Sequence, residues 1–130
     1  MGIIHCDIKL ENTLLQSSAE TGMYPTVKLC DFGLSHLVEA GKAKGAPEGK
    51  TYMELMCGTL NYKAPEVTND CFVGPEIDMW SFGLVLYLMS VGYTPTKLKD
   101  YKYGSGPIPF WRRDWRKRSK ELQDLIVACL

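Results

Sequence analysis

The sequence predicts an α+β fold, mainly α-helical, with one small β-hairpin. Three observations lead there. Residues 77–91 are apolar at Ile77, Met79, Trp80, Phe82, Leu84, Val85, Leu86, Leu88 and Met89, the pattern of a helix enclosed by neighbours. Residues 119–130 set Leu122, Leu125, Ile126, Cys129 and Leu130 at helical spacing behind Ser119, a residue type that favours helix N-caps. Earlier in the chain, Thr13-Leu14-Leu15 and Val27-Lys28-Leu29-Cys30 are short runs rich in β-formers. Ser17-Ser18, Gly22 and Pro25 separate them, so they read as two antiparallel strands joined by a polar turn.

Taken in order, the chain opens on His5-Cys6-Asp7-Ile8-Lys9-Leu10-Glu11-Asn12. This run packs an acid, an ammonium and an amide into one short turn. Such a cluster suits a phosphate–metal site, where a carboxylate can accept a hydroxyl proton and a lysine can neutralise a phosphoryl oxygen. It equally suits a polar surface loop. After the hairpin, residues 39–50 are rich in Gly, Ala and Lys and contain Pro47, with no apolar period to fix them on a core; a mobile segment is expected. In the helix at 77–91 the polar exception is Asp78, and a carboxylate buried there needs donors. Residues 92–109 read as loop, with Pro95, Gly104-Ser105-Gly106-Pro107 and Pro109. The basic run 111–118 interleaves Trp111 and Trp115 with arginines. That pattern fits nucleic acid or, more simply, a solvated face.

Composition narrows the class. With 130 residues and 45% apolar content the chain suits one modest domain. Its 15 basic and 15 acidic side chains cancel, which removes any global attraction to nucleic acid or anionic lipid. Five cysteines (Cys6, Cys30, Cys57, Cys71 and Cys129) are odd in number and lack C-x-x-C spacing. They argue against a disulfide framework or zinc site and for reduced thiols, hence an intracellular, cytoplasmic or nuclear setting. Ile3-Ile4 is too short for a signal-peptide core, and Cys6 breaks the myristoylation pattern that Met1-Gly2 begins. The uncharged stretch 79–96 carries Ser81, Ser90 and Pro95, so a buried helix is expected rather than a membrane span.

Asp31-Phe32-Gly33 follows Asn12 by nineteen positions, and Ala64-Pro65-Glu66 comes next. With the 5–12 run, these motifs in this order resemble the signature set of eukaryotic-type protein kinases of the Ser/Thr class. The resemblance covers essentially the whole chain and implies the mainly helical C-terminal lobe of that fold, with the N-terminal lobe absent. It implies one partial kinase domain over 1–130. Its parts would be a catalytic loop at 5–12, an activation segment at 31–66, a central buried helix at about 77–91 and a truncated terminal helix at about 119–130. It implies ATP and Mg2+ as cofactors and a protein substrate, with no nucleic-acid or membrane partner expected. By the same resemblance Asp7 orients the substrate hydroxyl and accepts its proton, Lys9 steadies the phosphoryl group, and Thr59 touches both. Asn12 and Asp31 are the metal ligands, while Leu14 and Cys30 floor the adenine. His5, Phe32, Gly33, Glu66 and Asp78 are structural supports, Asp78 by accepting from the catalytic-loop backbone.

The sequence departs from the family at Cys6, where an arginine is usual, and at Leu10, where a proline is usual. The first change removes the cation that clamps a phosphate on the activation segment. The chain also lacks the Gly-rich loop, the V-A-I-K lysine and the arginine partner of Glu66, so it reads as an inactive fragment of an ATP-dependent kinase. The competing reading is a pseudokinase or interaction module without catalysis.

On the fragment reading, residues 1–130 alone neither transfer phosphate nor stay monomeric. Each large side chain left wet forfeits roughly 1.5–3 kcal/mol, against a total stability of about 5–15 kcal/mol for a domain. Purified 1–130 is expected to bind apolar dyes and melt over a broad range. A sharp two-state melt, with micromolar Mg-ATP binding by calorimetry, would contradict this.

Overall fold

The computed structural model describes residues 2–16, 24–38, 48–53, 58–67, 71–95 and 107–130. Several features read from the sequence lie outside them: the turn at Ser17, Ser18 and Gly22, residues 39–47 of the segment expected to be mobile, and Cys57. So does Gly104-Ser105-Gly106.

Among the described residues the fold is mixed α+β, with three antiparallel two-stranded ladders and three α-helices. Strand β1 (Gly2–Ile4) pairs with β4 (His36–Val38), placing Ile4 opposite His36. Strands β2 (Thr13–Gln16) and β3 (Thr26–Leu29) form the hairpin, with Thr13 opposite Leu29 and Gln16 opposite Thr26. Strand β5 (Thr51–Met53) pairs with β6 (Cys71–Val73). Each ladder has a different task. The β1–β4 pair buries Ile4 and Val38 and brings the chain before His5 alongside the chain after Gly33. The β2–β3 hairpin is exposed along most of both strands, including Leu14, Leu15, Val27 and Leu29. The β5–β6 pair buries Met53 and Val73, and Tyr52 packs on Phe72 across the strands at 5.3 Å.

The core is organised by α1 (Glu76–Val91). Glu76 and Asp78 in its first turn complement the positive end of the helix dipole. Gly92 ends it at φ +85°, a left-handed conformation that glycine adopts without a Cβ penalty, and its N–H reaches the Leu88 carbonyl at 2.7 Å. Helix α3 (Lys120–Cys129) begins at Ser119, whose hydroxyl accepts from the Leu122 N–H at 3.2 Å. It packs on α1 through Ile126, fully buried, and the two helices approach closely at Gly83. A Cβ there would lie 2.7 Å from Cys129 Cβ and 2.9 Å from Leu130 Cδ2.

At the C-terminal end of α1, Tyr87 is fully buried in an aromatic cluster. Its ring centroid lies 4.8 Å from Trp115, 5.9 Å from Phe110 and 6.1 Å from Tyr93, and its hydroxyl donates to the Pro109 carbonyl at 2.6 Å. Trp115 comes from the one-turn helix α2 (Arg112–Trp115).

Helix α1 departs from expectation in one respect. Its composition implied burial on every face, yet Met79, Phe82 and Met89 are 50%, 39% and 66% exposed. These positions fall on one stripe of the helix. Among the described residues, α3, the turn around Tyr62 and the aromatic cluster cover the other faces. Composition reports how much apolar surface a helix carries, and the neighbours decide how much of it is covered. No helix among the described residues is long and apolar enough to cross a membrane.

Gly83→Val tests the α1–α3 contact. The added side chain meets Cβ of Cys129, which cannot swing aside, so overpacking should cost about 1–3 kcal/mol. The urea midpoint of the full-length protein is expected to fall, whereas a loose α1–α3 contact would leave it unchanged.

Candidate active site

The site is built on one carboxylate of α1. Asp78 Oδ2 accepts the His5 N–H at 2.7 Å, and Oδ1 accepts the Cys6 N–H at 3.0 Å. These bonds fix two successive backbone amides against the helix. Cys6 itself sits at φ +66°, a conformation that costs a non-glycine residue roughly 1–2 kcal/mol. The twist at Cys6 carries the chain over to Asp7. It also turns the Cys6 carbonyl towards Gly58, where a Cβ would lie 2.4 Å from that oxygen. Gly58 itself sits at φ +83°, so position 58 requires glycine for both conformation and clearance.

His5 ties the loop to the segment around Cys30. Its Nδ1 accepts the Asp7 N–H at 3.3 Å, which places the ring proton on Nε2, 3.0 Å from the Cys30 carbonyl oxygen. The ring packs on Phe32, with centroids 4.7 Å apart. The 3-10 turn Leu10–Asn12 is closed by the Asn12 N–H and the Thr13 hydroxyl, both donating to the Lys9 carbonyl at 3.1 and 2.9 Å.

Four donors converge on the Asp7 carboxylate, which is 7% exposed. Oδ1 accepts from the Thr59 N–H at 2.9 Å and from the Thr59 hydroxyl at 2.7 Å. Oδ2 accepts from Lys9 Nζ at 2.7 Å and from Asn12 Nδ2 at 3.2 Å. Lys9 Nζ also donates to the Thr59 hydroxyl oxygen at 3.0 Å, which closes a three-membered ring of contacts. Burial pushes against the charge on Asp7. The hydrogen bonds from Lys9 and from the Thr59 side chain and backbone outweigh it, and the carboxyl stays below its ordinary range. The same pairing raises Lys9 above the usual lysine value. Asp7 and Lys9 are thus a fixed anion and a fixed cation at neutral pH.

Asn12 is buried, and its amide nitrogen also donates to the Asp7 carbonyl at 3.0 Å, so its Oδ1 is the atom left for another partner. The Asn12 carbonyl accepts the Cys30 N–H at 3.0 Å, bringing that residue next to the loop. Asp31 follows in the left-handed region at φ +63° and is exposed. Its Oδ1 accepts from the Gly33 N–H at 3.4 Å, and Oδ2 has no hydrogen bond among the described residues. The described residues contain no group of three or more His, Cys, Asp or Glu side chains able to hold a metal. Asn12 Oδ1 and Asp31 Oδ2 are hard oxygen donors, two in number and open to solvent on the Asp31 side. Mg2+ takes oxygen ligands of this kind and keeps several of its waters.

The structure therefore gathers His5, Asp7, Lys9, Asn12, Thr59 and Asp78 into one hydrogen-bonded network. Cys30 and Phe32 join it through His5, and Asp31 and Gly33 continue the chain from there. Leu14 stands on β2, 51% exposed. Glu66 lies elsewhere, on an open cleft of about 490 Å3 shared with Lys50, Glu76, Met79, Trp80, Ala128 and Cys129. There Lys50 Nζ pairs with Glu76 Oε1 at 2.8 Å. Gly58 and Ser81 fall within runs that resemble the family, but neither was named as a site residue, and both position the site. Gly58 admits the Cys6 carbonyl. Ser81 donates to the Tyr62 carbonyl at 2.7 Å and so anchors the turn after Thr59 to α1. The Cys57-Gly58-Thr59 run was the available signal for Gly58, and the D-x-W-S-x-G run from Asp78 to Gly83 was the one for Ser81.

Comparison with known proteins shows what the chain is similar to. The family model for the protein kinase domain matches residues 1–130. NUAK family SNF1-like kinase 2 of Rattus norvegicus is 39% identical over 102 residues, covering 78% of this chain and 14% of its own length. Calcium-dependent protein kinase 21 of Arabidopsis thaliana is 37% identical over 135 residues, covering 100% of this chain and 23% of its own length. Probable serine/threonine-protein kinase fhkE of Dictyostelium discoideum is 34% identical over 143 residues, covering 99% of this chain and 18% of its own length. The chain spans less than a quarter of the length of these relatives.

The depressed ionisation of Asp7 has a pH signature. Its contribution to stability is complete above the unfolded carboxyl value of 3.8 and is lost as pH falls through the lower folded value. Asp7→Asn should therefore destabilise by about 1–3 kcal/mol at a margin that is constant above pH 5 and narrows below pH 4. Denaturant titrations of both proteins at a series of pH values measure this. A margin that widens in acid would contradict the network.

Proposed function

The chain belongs to the protein kinase domain family, and from that premise we propose that it carries the chemistry for transfer of the ATP γ-phosphoryl group to Ser or Thr hydroxyls of proteins. The observation that carries this reading is the Asp7 carboxylate, held by Lys9, Thr59 and Asn12 in one network. Phosphoryl transfer asks a protein for position and charge compensation more than for covalent chemistry. A carboxylate with a depressed pKa is a weak base, and four donors give it a single orientation. Asp7 is therefore suited to aim the hydroxyl and to take its proton late, as negative charge leaves the attacking oxygen. Lys9 places a permanent positive charge within 3 Å of that carboxylate, where a phosphoryl oxygen in flight needs it. Thr59 fixes both side chains at once.

Asn12 and Asp31 would hold Mg2+, which when bound neutralises charge on the ATP phosphates. By the family resemblance, Leu14 and Cys30 would form part of the floor beneath the adenine. His5 and Phe32 set the position of Asp31 by packing on each other. The Ser/Thr preference rests on Lys9 two positions after Asp7 and on Gly58-Thr59 before Tyr62. It is supported by the relative whose name states that specificity.

Assay of the full-length protein with Mg-ATP on degenerate Ser/Thr and Tyr peptides tests the proposal. Phosphate should appear on Ser and Thr, and Asp7→Asn should lower kcat about 10²–10⁴-fold. A tyrosine preference, or a variant within tenfold of the parent, would refute it. A folded but silent parent would instead favour an interaction module.

A further inference from the structure

Residues 111–120 hold six of the chain's 15 basic side chains and one of its 15 acidic ones. These ten residues therefore carry +5, and the other 120 carry −5. The structure accounts for part of the cluster internally. Arg118 Nε donates to the Ser90 carbonyl at 2.8 Å, at the negative end of α1. Lys120 pairs with Asp124, and Arg113 with Asp114. Trp115 and Phe110 are absorbed by the aromatic cluster around Tyr87. Arg112, Arg116 and Lys117 remain. All three are exposed, and none has an ion-pair partner among the described residues. Beside them Trp111 stacks one face on Tyr93, 5.9 Å away at 28°, and is 44% exposed.

We propose that Arg112, Arg116, Lys117 and Trp111 form a docking surface for an acidic polypeptide segment, at the opposite end of α1 from Asp7. Arg116 N–H bonds to the Arg112 carbonyl at 3.1 Å, so the two arginines sit one helical turn apart on the same face. Their Cβ atoms are then about 5–6 Å apart. In an extended peptide, alternate side chains share a face at about 6.6–6.8 Å, so Glu or Asp at every second position matches the pair. Guanidinium groups bind carboxylates in bidentate fashion, and Trp111 offers a flat surface to the aliphatic stems. The charge balance selects a short ligand. A nucleic acid or an anionic membrane extends well past the patch and meets surface that is net negative. A membrane would also find a single exposed ring to insert. A peptide touches only the positive turn.

The test reads binding and needs no phosphoryl transfer, so it stands whether or not the catalytic reading does. A fluorescein-labelled dodecapeptide with Glu at alternate positions is titrated with the full-length protein and followed by anisotropy. Parallel titrations use a single-stranded oligonucleotide and vesicles containing 30% phosphatidylserine. The peptide should bind, with affinity falling as salt rises. The double variant Arg112→Glu/Arg116→Glu should weaken it tenfold or more with an unchanged circular dichroism melt. Lys28→Glu, the same kind of charge reversal on exposed strand β3, should change it less than twofold. The proposal is overturned by absence of peptide binding, by equal effects of the arginine and Lys28 variants, or by tighter binding of oligonucleotide or vesicle than of peptide.

Discussion

A single carboxylate on the first turn of α1 holds two backbone N–H groups of the loop above it, and the geometry of the site follows from that grip. The His5 and Cys6 amides both face Asp78, and the chain then turns through a left-handed residue at Cys6. That turn sends the Asp7 side chain towards Thr59 and the Cys6 carbonyl towards Gly58. Removing the Asp78 carboxylate would leave two loop amides without their acceptor and loosen the base from which Asp7 is aimed. The strained residue persists because the structure around it over-determines it.

The two ends of α1 have different duties. The N-terminal end meets the polar network through Asp78 and Ser81, where hydrogen bonds set directions. The C-terminal end is gripped by aromatic rings around Tyr87, where packing sets positions. A helix fixed at both ends by different forces is a rigid base. A carboxylate that must be held to within a fraction of an ångström needs such a base.

Much of the site was legible because it is local. Asp7, Lys9 and Asn12 fall within six residues, a cluster that suits a phosphate–metal site or a polar loop, and the resemblance carried by Asp31-Phe32-Gly33 and Ala64-Pro65-Glu66 is what chose between them. Asp78 was readable as a polar residue in an apolar helix, a position that demands donors. The fold was readable where periods are long enough to count, as in α1 and α3. It was unreadable in the β1–β4 and β5–β6 ladders, where each strand has three residues and its partner lies far along the chain. Nothing in a cysteine suggests a left-handed backbone, so the turn at Cys6 was invisible. The open stripe of Met79, Phe82 and Met89 was misjudged for a related reason, since burial is a property of neighbours and composition records only the helix itself.

The placement of the tryptophans decides what a spectroscopist can see. Trp80, Trp111 and Trp115 are the chain's whole complement, and all lie on α1 or beyond it. Trp115 sits edge-on to Phe110 at 4.7 Å and tilted on Tyr87 at 4.8 Å, while Trp80 is buried beside the α1–α3 contact. Intrinsic emission therefore reports the helical base. The loop at 5–12 and the exposed hairpin could loosen without a change in colour or intensity, and a protein that looks intact by its fluorescence could already have lost the arrangement around Asp7. A probe placed on the hairpin would see the half of the molecule to which the native chromophores are blind.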